Sequence, residues 1–364
     1  MAGESRADGA RGPTIRIGDR TIGAGHPCYV IAEIGVNHNG DLELAEQLIA
    51  ACAEAGADAV KFQAFNVSEL ILPEVGKAPY QQRTSDGAES QTAMLERLAV
   101  DESFHRRTMD LCRAHDVGYL CTPYDLPSLD FLLAEDVAGL KIASTDTNNL
   151  WFLEQVAAGG RPVILSTGMT PLGEIQDAVR CLLDNGCAEL AVLKCTSAYP
   201  TAPVDVHLRA METLARIFPL PVGFSDHTQG VGASPYAVAL GATIVEKHVT
   251  LDRAMPGPDH QASITPAELG VLVTEVRKVE QMLGSTLVGP TAGEAQTRRA
   301  LQRCLVTTTA LAAGATLSRE GVGAKRTGGK GISAARWPEV VGRRLAQALP
   351  ADVPIPWSAI EDES

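Results

Sequence analysis

The feature that most constrains the fold of this chain is an alternation of short apolar runs with longer amphipathic segments. Runs such as 59–63, 117–122 and 163–167 have the composition of buried strands. Segments of helical length separate such runs, for example 103–115 and 174–185. Runs that are apolar throughout are typical of parallel strands, which are buried on both faces of their sheet. The pattern therefore predicts a parallel sheet covered by helices.

The strand–helix unit recurs often enough, over about 250 residues, to predict a (β/α)8 TIM barrel. A doubly wound open sheet is the alternative. No Gly-x-Gly-x-x-Gly follows the first strand, however, and this argues against a dinucleotide-binding fold. The long segment 64–101 between the second strand and its helix is expected to form a lid or a wall of the site.

The predicted barrel domain covers residues 1–285 and begins, after a polar start, with a β-hairpin at 14–23. A segment rich in Gly, Pro, Thr and Ala over 286–297 is predicted to be a linker. Short β-prone pieces and Gly-rich turns then predict a small β-rich domain over 298–364.

Charge and hydropathy limit the classes of partner. The net charge of −13 argues against binding to nucleic acid or to an anionic membrane. Residues 1–13 lack the apolar core of a secretion signal, and no run approaches the length of a membrane span. We therefore expect a cytoplasmic protein with neither kind of partner.

Two histidines end neighbouring apolar runs, in Ser225-Asp226-His227 and in Glu246-Lys247-His248. A small-residue segment of helical length, 230–241, lies between them. Adjacent parallel strands joined by one crossover helix would bring both histidines to the same edge of the sheet. Paired neutral imidazoles are natural metal ligands, although isolated histidines are usually solvated or merely hydrogen-bonded.

Other predicted strands also end in polar residues, and in barrel enzymes the catalytic groups lie at the C-terminal strand ends. Cations and hydroxyl groups suited to a phosphate or carboxylate occur at Lys61, Thr122, Lys141, Ser144, Ser166, Lys194 and Ser225. Acid/base groups and metal ligands occur at Glu33, Asp146, His227, His248 and Asp259. Together they predict a site for an anionic substrate beside a divalent cation.

A series of motifs resembles one enzyme family, in order along nearly the whole chain. The motifs are IAEIGVNHNG (31–40), VKFQ (60–63), KIAS (141–144), STGM (166–169), CTSAYP (195–200), FSDHT (224–228), EKH (246–248) and PGPD (256–259). They resemble the sialic acid synthases, or N-acetylneuraminate (nonulosonate) synthase family. Lys325-Arg326 and 331–333 resemble the antifreeze-like (SAF) domain that follows the barrel in that family.

The resemblance implies a condensation of phosphoenolpyruvate with an N-acetylmannosamine-type aldose. The product would be a nine-carbon 2-keto-3-deoxy sugar acid, with phosphate released. It implies a divalent metal, Mn²⁺ or alternatively Mg²⁺ or Co²⁺, at His227 and His248. Catalytic roles would fall to Glu33, Asp259 and Lys61.

The resemblance also assigns the residues around each substrate. Phosphoenolpyruvate would contact Lys61, Thr122, Lys141, Ser144, Ser166, Ser197 and Ser225. The N-acetylated amino sugar would contact Gln63, Asp146, Tyr199, Asp259 and, from the partner subunit of a domain-swapped homodimer, Arg326.

The aldose stays open among N-acetylmannosamine, its 6-phosphate and a 2,4-diacetamido-6-deoxy hexose. Segments 77–81 and 89–91 resemble bacterial members, which favours an unphosphorylated sugar. Two alternative functions stay open. One is another phosphoenolpyruvate-dependent 3-deoxy-ketoaldonic acid synthase with a different aldose, and the other is a non-catalytic sugar-binding protein.

Overall fold

The chain divides into two compact units, Met1–Gly284 and Ser285–Ser364. A computed structural model describes residues 12–78, 81–82 and 89–362. The polar start predicted over 1–13 lies almost wholly outside the described residues, as do residues 79–80 and 83–88 of the predicted lid.

The larger unit begins with a hairpin and continues as a closed parallel barrel. The hairpin strands β1 (Thr14–Ile17) and β2 (Arg20–Gly23) pair antiparallel. The barrel strands are β3 (Tyr29–Gly35), β4 (Ala59–Ala64), β5 (Gly118–Pro123), β6 (Leu140–Ile142), β7 (Val163–Ser166), β8 (Leu190–Cys195), β9 (Val222–Asp226) and β10 (Ile244–His248). Each strand hydrogen-bonds to its sequence neighbour, and β10 closes the ring against β3. The predicted (β/α)8 barrel is confirmed.

Helices follow the barrel strands. They are α1 (Leu42–Glu54), α2 (Val67–Leu70), α3 (Gln91–Leu98), α4 (Glu102–Ala114), α5 (Leu126–Ala134), α6 (Leu150–Ala158), α7 (Leu172–Asp184), α8 (Ala210–Ile217), α9 (Ser234–Ala239) and α10 (Pro266–Leu283). Side chains cap two of these helices: the Asp41 side chain accepts from the first turn of α1, and Thr265 forms a capping box with Glu268 at the start of α10.

The N-terminal hairpin closes one end of the barrel. Ile15, Ile17 and Ile22 are buried in one cluster with inward-facing barrel residues such as Ile31 and Ile164. The floor of the barrel is therefore apolar and sealed against water. Polar side chains that face the barrel interior can only collect at the opposite end, where the strands have their C-termini.

The smaller unit has its own hydrophobic core, formed by residues such as Leu305, Leu317 and Ile355. Its elements are α11 (Ala295–Leu301), β11 (Arg303–Thr307), β12 (Val322–Arg326) and α12 (Trp337–Val340), with β11 and β12 paired antiparallel. A helix thus begins inside the segment predicted as a linker. The cause is a capping box between Thr291 and Glu294, which starts the helical turn.

Candidate active site

A cavity of about 660 Å³ lies at the C-terminal ends of the barrel strands. Side chains alternate along each strand, so every second residue faces the barrel interior. Among the residues predicted from the sequence, the cavity wall contains Glu33, Lys61, Gln63, Lys141, Ser144, Asp146, Ser166, Ser197, Tyr199, Ser225, His227, His248 and Asp259. Thr122 lies behind this wall, where its Oγ1 accepts from Lys61 Nζ at 3.2 Å. Arg326 lies in the smaller unit, at the exposed end of β12.

Lys194 lies outside the cavity wall, although the sequence pattern grouped it with Lys61 and Lys141. Strand alternation explains the difference. Leu193 packs in the interior of the barrel and Cys195 lines the cavity, so the residue between them points outward. Lys194 Nζ instead donates to Thr196 Oγ1 at 2.6 Å.

Lys61 and Lys141 place two buried ammonium groups in the cavity. Their side chains are only 4% and 2% exposed, respectively. Lys141 Nζ donates to Ser166 Oγ at 2.7 Å. Burial lowers the pKa of Lys61, but the charges of Glu246 and Glu33 outweigh that effect and raise the pKa overall. Lys61 therefore stays charged and can attract an anion that displaces water from the cavity.

A small cradle beside these lysines is left open because residue 168 is glycine. A Cβ at Gly168 would lie 2.3 Å from Ser197 Oγ and 2.9 Å from Ser144 Oγ. The backbone N–H of Gly168 donates to Ser144 Oγ at 2.8 Å. The two hydroxyl groups can each donate to an anionic oxygen that approaches the backbone where no side chain intervenes.

Two buried carboxylates contact the lysines, and their pKa values move in opposite directions. Lys61 Nζ lies 2.9 Å from Glu33 Oε2 and 3.7 Å from Glu246 Oε2. Burial raises the pKa of Glu33 to about 7, although Lys61 opposes the rise. Burial would also raise the pKa of Glu246, but the charges of Lys141 and Lys61 prevail and hold it at about 2. Glu246 is thus a permanent anion, while Glu33 can gain or lose a proton near neutral pH.

The His227 and His248 rings lie side by side, with centroids 5.4 Å apart. His227 Nδ1 lies 2.8 Å from the carbonyl oxygen of Thr196. Because a carbonyl only accepts, Nδ1 carries a proton, which leaves Nε2 as the nitrogen that can bind a metal when the ring is neutral. Burial lowers the pKa of His248 well below its usual range, so this imidazole is neutral.

The histidine pair fits a divalent metal. His248 Nδ1 is buried without a hydrogen-bond partner among the described residues, and it lies 3.9 Å from Asp259 Oδ2. The carbonyl that orients His227 is the usual partner behind a metal-bound histidine. In the described part of the chain, no group of three His, Cys, Asp or Glu side chains has the geometry of a metal site. Two imidazoles alone would leave most of the coordination sphere of an ion open to substrate or water.

Acidic and aromatic side chains also line the cavity. Burial raises the pKa of Asp259 to about 6 and also raises the pKa of Asp146. Asp146 Oδ1 accepts from Asn149 Nδ2 at 3.1 Å. The Tyr199 ring lies against His227, with centroids 4.1 Å apart. These groups offer acceptors for hydroxyl and amide hydrogens together with an apolar surface, a combination suited to a sugar.

Glu246 is a charged cavity residue to which the sequence assigned no role. Besides the lysines, its Oε1 accepts from Ser225 Oγ at 3.0 Å. Its position in the cavity could have been found from the sequence, because a residue two positions before His248 on a strand must face the same side of the sheet as His248. The strand-end motif was interpreted for its histidine alone.

Comparisons with known proteins identify the family of this barrel. A model described as the NeuB family matches residues 48–287, and a SAF domain model matches residues 302–361. The chain belongs to the NeuB family.

Similar proteins agree with the NeuB assignment. The N,N'-diacetyllegionaminic acid synthase of Legionella pneumophila is 40% identical, over 94% of this chain and 98% of that protein. The human N-acetylneuraminate-9-phosphate synthase is 40% identical, over 73% of this chain and 74% of that protein. The crystal structure of N-acetylneuraminic acid synthetase from Leptospira borgpetersenii, in complex with citrate, has a TM-score of 0.69 and 34% identity, over 79% and 95% of the two chains.

The NeuB family assignment confirms the resemblance drawn from the sequence motifs, including the SAF domain. This chain is an enzyme, a synthase that forms carbon–carbon bonds, and its class of activity is nonulosonate synthesis. Among the described residues, no helix combines the length and the apolar character needed to cross a membrane.

Proposed function

We propose that this NeuB-family enzyme condenses phosphoenolpyruvate with an N-acetylmannosamine-type aldose. The products are a nine-carbon 2-keto-3-deoxy sugar acid and inorganic phosphate. One observation carries the proposal: a single cavity holds two buried ammonium groups, Lys61 and Lys141, together with the imidazoles of His227 and His248. The first pair suits a small dianion, and the second suits a metal that polarises a carbonyl group.

Phosphoenolpyruvate would bind at the lysine end of the cavity. Lys61 and Lys141 supply the charge, and hydroxyl groups of Ser144, Ser166 and Ser197 supply hydrogen bonds. Among the groups described above at this end, only Glu246 is a permanent anion. The two ammonium groups therefore leave an excess of positive charge. The substrate would neutralise that excess, which favours anion binding in a buried site.

The metal would be held by the two imidazoles, and we propose Mn²⁺, with Mg²⁺ or Co²⁺ as alternatives. A bound ion of this kind supplies Lewis-acid polarisation of the aldehyde oxygen. Neutral His248 is already in the protonation state that ligation requires, and the carbonyl oxygen of Thr196 orients the His227 ring.

Carbon–carbon bond formation joins C3 of the enolpyruvate to the aldehyde carbon of the open-chain sugar. The aldehyde oxygen becomes a hydroxyl group and takes one proton. We assign that proton to Asp259, whose pKa of about 6 allows exchange near neutral pH. Its Oδ2 lies 3.9 Å from His248 Nδ1, at the end of the cavity where the aldehyde would bind.

Water then adds to C2 of the former enolpyruvate, and Glu33 accepts its proton. Burial holds the pKa of Glu33 at about 7, so the carboxylate is an effective base at neutral pH. Gln63 Nε2 donates to Glu33 Oε1 at 2.9 Å, while Oε2 of the same carboxylate faces Lys61. Finally the C2–O bond to phosphate breaks, phosphate leaves with the electron pair and the hydroxyl proton, and C2 becomes a ketone.

The sugar would be an unphosphorylated N-acetylated hexosamine. Asp146 and Asp259 line the sugar end of the cavity, and both are buried or half-buried. Carboxylates accept hydrogen bonds from hydroxyl and amide groups but repel a phosphate. This favours N-acetylmannosamine or a diacetamido-deoxy sugar over a 6-phosphate.

We further propose a domain-swapped homodimer in which Arg326 of one subunit faces the sugar of the other. The register of the small sheet supports an external role for this arginine. Arg326 lies directly opposite Arg303 on the neighbouring strand, and both are exposed. Like charges in such a pair are destabilising unless an anionic or polar partner compensates them.

The test is a substrate panel. Metal-free enzyme is incubated with phosphoenolpyruvate, Mn²⁺ and one of several aldoses, and phosphate release and product mass are measured. The panel contains N-acetylmannosamine, its 6-phosphate, a 2,4-diacetamido-6-deoxy hexose and, as the rival class, arabinose 5-phosphate. We expect phosphate release only with an unphosphorylated N-acetylated sugar and only with metal. No release with any aldose would overturn the proposal.

A further inference from the structure

The residues immediately before the two histidines form a buried ion pair. Asp226 and Lys247 are directly paired in the β9–β10 register. Lys247 Nζ lies 3.1 Å from Asp226 Oδ2, and both side chains are 0% exposed. Strand alternation directs this pair away from the cavity, towards the helices, while His227 and His248 point inward. No role in substrate binding follows from that position.

The Asp226 carboxylate ties the end of β9 to the loop and helix that follow. Oδ1 accepts from Thr228 N at 2.9 Å and from Thr228 Oγ1 at 2.6 Å. Oδ2 accepts from the backbone N–H groups of Ala233 and Ser234, each at 3.1 Å, and from Ser234 Oγ at 2.7 Å. The turn around His227 is therefore fixed on both sides of the histidine.

Lys247 ties the end of β10 to the same turn. Its Nζ donates to the carbonyl oxygen of Thr228, the residue that follows His227. Gly232 packs directly on this contact, since a Cβ there would lie 1.9 Å from Thr228 Oγ1 and 2.9 Å from Lys247 Nζ. An ion pair and a hydrogen bond thus hold the ends of β9 and β10 together, at the residues next to the two histidines.

Stability alone is a weak reason for such a pair. Removing two charges from water costs several kcal/mol per ion, and apolar replacements of similar volume are often neutral or stabilising. A buried pair with all its hydrogen bonds satisfied instead specifies one geometry. The geometry specified here is the separation of the β9 and β10 ends.

We propose that Asp226 and Lys247 are positioning residues that set the distance and orientation of His227 and His248 for the metal. This inference rests on the proposed metal site. Partners behind a metal ligand typically change metal affinity by about 10- to 100-fold when they are mutated. Asp226 and Lys247 would act through the backbone, one residue away from each ligand.

The experiment measures Mn²⁺ binding to the full-length, chelator-stripped protein from the EPR signal of free Mn²⁺. Asp226→Asn keeps the shape and removes the charge, and the double variant Asp226→Asn/Lys247→Met removes both charges. We expect the dissociation constant to rise about 10-fold or more in both. The visible absorption spectrum of bound Co²⁺ should also change, because it reports the ligand geometry.

A matched control separates positioning from folding. Arg277 Nη2 and Asp58 Oδ2, 2.9 Å apart, form a partly buried ion pair near the N-terminal ends of β3 and β4. Arg277→Met should lower the melting temperature while leaving the Mn²⁺ dissociation constant unchanged. Ser234→Ala removes one hydrogen bond to Asp226 and keeps the ion pair. It is therefore the variant to measure if Asp226→Asn does not fold. It should weaken Mn²⁺ binding about threefold.

Three results would overturn the inference. Wild-type affinity in Asp226→Asn or in Ser234→Ala would show that the pair does not act on the histidines. An equal loss of affinity in Arg277→Met would show a general effect of stability. Absence of Mn²⁺ binding to the wild-type protein would overturn the proposed metal site and this inference together.

Discussion

The ammonium nitrogen of Lys61 lies 2.9 Å from Oε2 of Glu33, and both side chains are almost completely buried. The ion pair does not hold Glu33 in its ionised form at all pH values. Burial raises the pKa of this carboxyl to about 7, more than Lys61 lowers it. A proton can therefore enter and leave the pair in the range where the enzyme would work.

We predict that turnover passes through a maximum between about pH 6 and 7, because Glu33 must be deprotonated to accept a proton from water while Asp259 must be protonated to give one. The profile of phosphate release against pH, at saturating substrates, should show an acid limb that depends on Glu33 and an alkaline limb that depends on Asp259. Glu33→Gln should lose the acid limb and retain no more than about 1% of the activity, since general base catalysis typically contributes 10²- to 10⁴-fold.

Asp259→Asn is the matched comparison for Glu33→Gln, because burial places the pKa of Asp259 lower, at about 6. This variant should also lose activity, and it should lose the alkaline limb while it keeps the acid limb, with a midpoint near pH 7. Near-normal turnover in Glu33→Gln would remove this carboxylate from the mechanism.

We predict that His227→Ala and His248→Ala each abolish metal-dependent turnover without unfolding the barrel. Both rings are buried at the cavity wall. Each substitution removes one of the two protein ligands that we propose. Mn²⁺ binding measured by calorimetry should be lost, while the circular dichroism spectrum is unchanged. His115→Ala, at an exposed position beyond α4, should bind Mn²⁺ normally. Full activity in either cavity variant would place the metal elsewhere.

The barrel could be predicted from the sequence because its signals are local. Strand β7 begins with three consecutive apolar residues, and Thr265 with Glu268 forms the capping box that starts α10. The helix α11 was missed because the segment before it is rich in Gly and Pro, which outweighed the capping box at Thr291.

The site was predictable to the extent that strand alternation could be counted. Motif order placed Glu33 and His248 at neighbouring strand ends, and the register of β3 and β10 pairs these two residues directly. Lys194 lies near a strand end like the two cavity lysines, but on the opposite side of its strand. Its position near the strand end alone therefore gave the wrong prediction. The pKa values of Glu33 and Glu246 depend on burial and on Lys61 and could not be obtained without the fold.

We predict that Lys141→Met raises the KM for phosphoenolpyruvate by about 10- to 100-fold. A hydrogen bond to a charged group contributes about 1.5–3 kcal/mol, and Lys141 would make such a bond to the substrate. Lys194→Met is the control because Lys194 has the same charge and points away from the cavity. Steady-state kinetics at saturating aldose should show an altered KM in the first variant only. Equal effects in both variants would indicate a long-range effect of charge rather than contact.

We predict that Gly168→Ala weakens phosphoenolpyruvate binding about 10-fold or more, because the new methyl group would occupy the cradle beside Ser197 and Ser144. Gly173→Ala in α7 is the matched control. A Cβ there meets nothing within 4 Å, and alanine favours the helix.

Isothermal titration with phosphoenolpyruvate should therefore separate the two alanine variants, with weaker binding in Gly168→Ala alone. Adding Ser197→Ala to Gly168→Ala removes the hydroxyl group nearest the new methyl group. This double variant should recover thermal stability but not affinity, because the hydroxyl donor is now missing. Recovery of both would mean that the Gly168→Ala effect is steric strain in the free enzyme, and that Ser197 makes no contact with the anion.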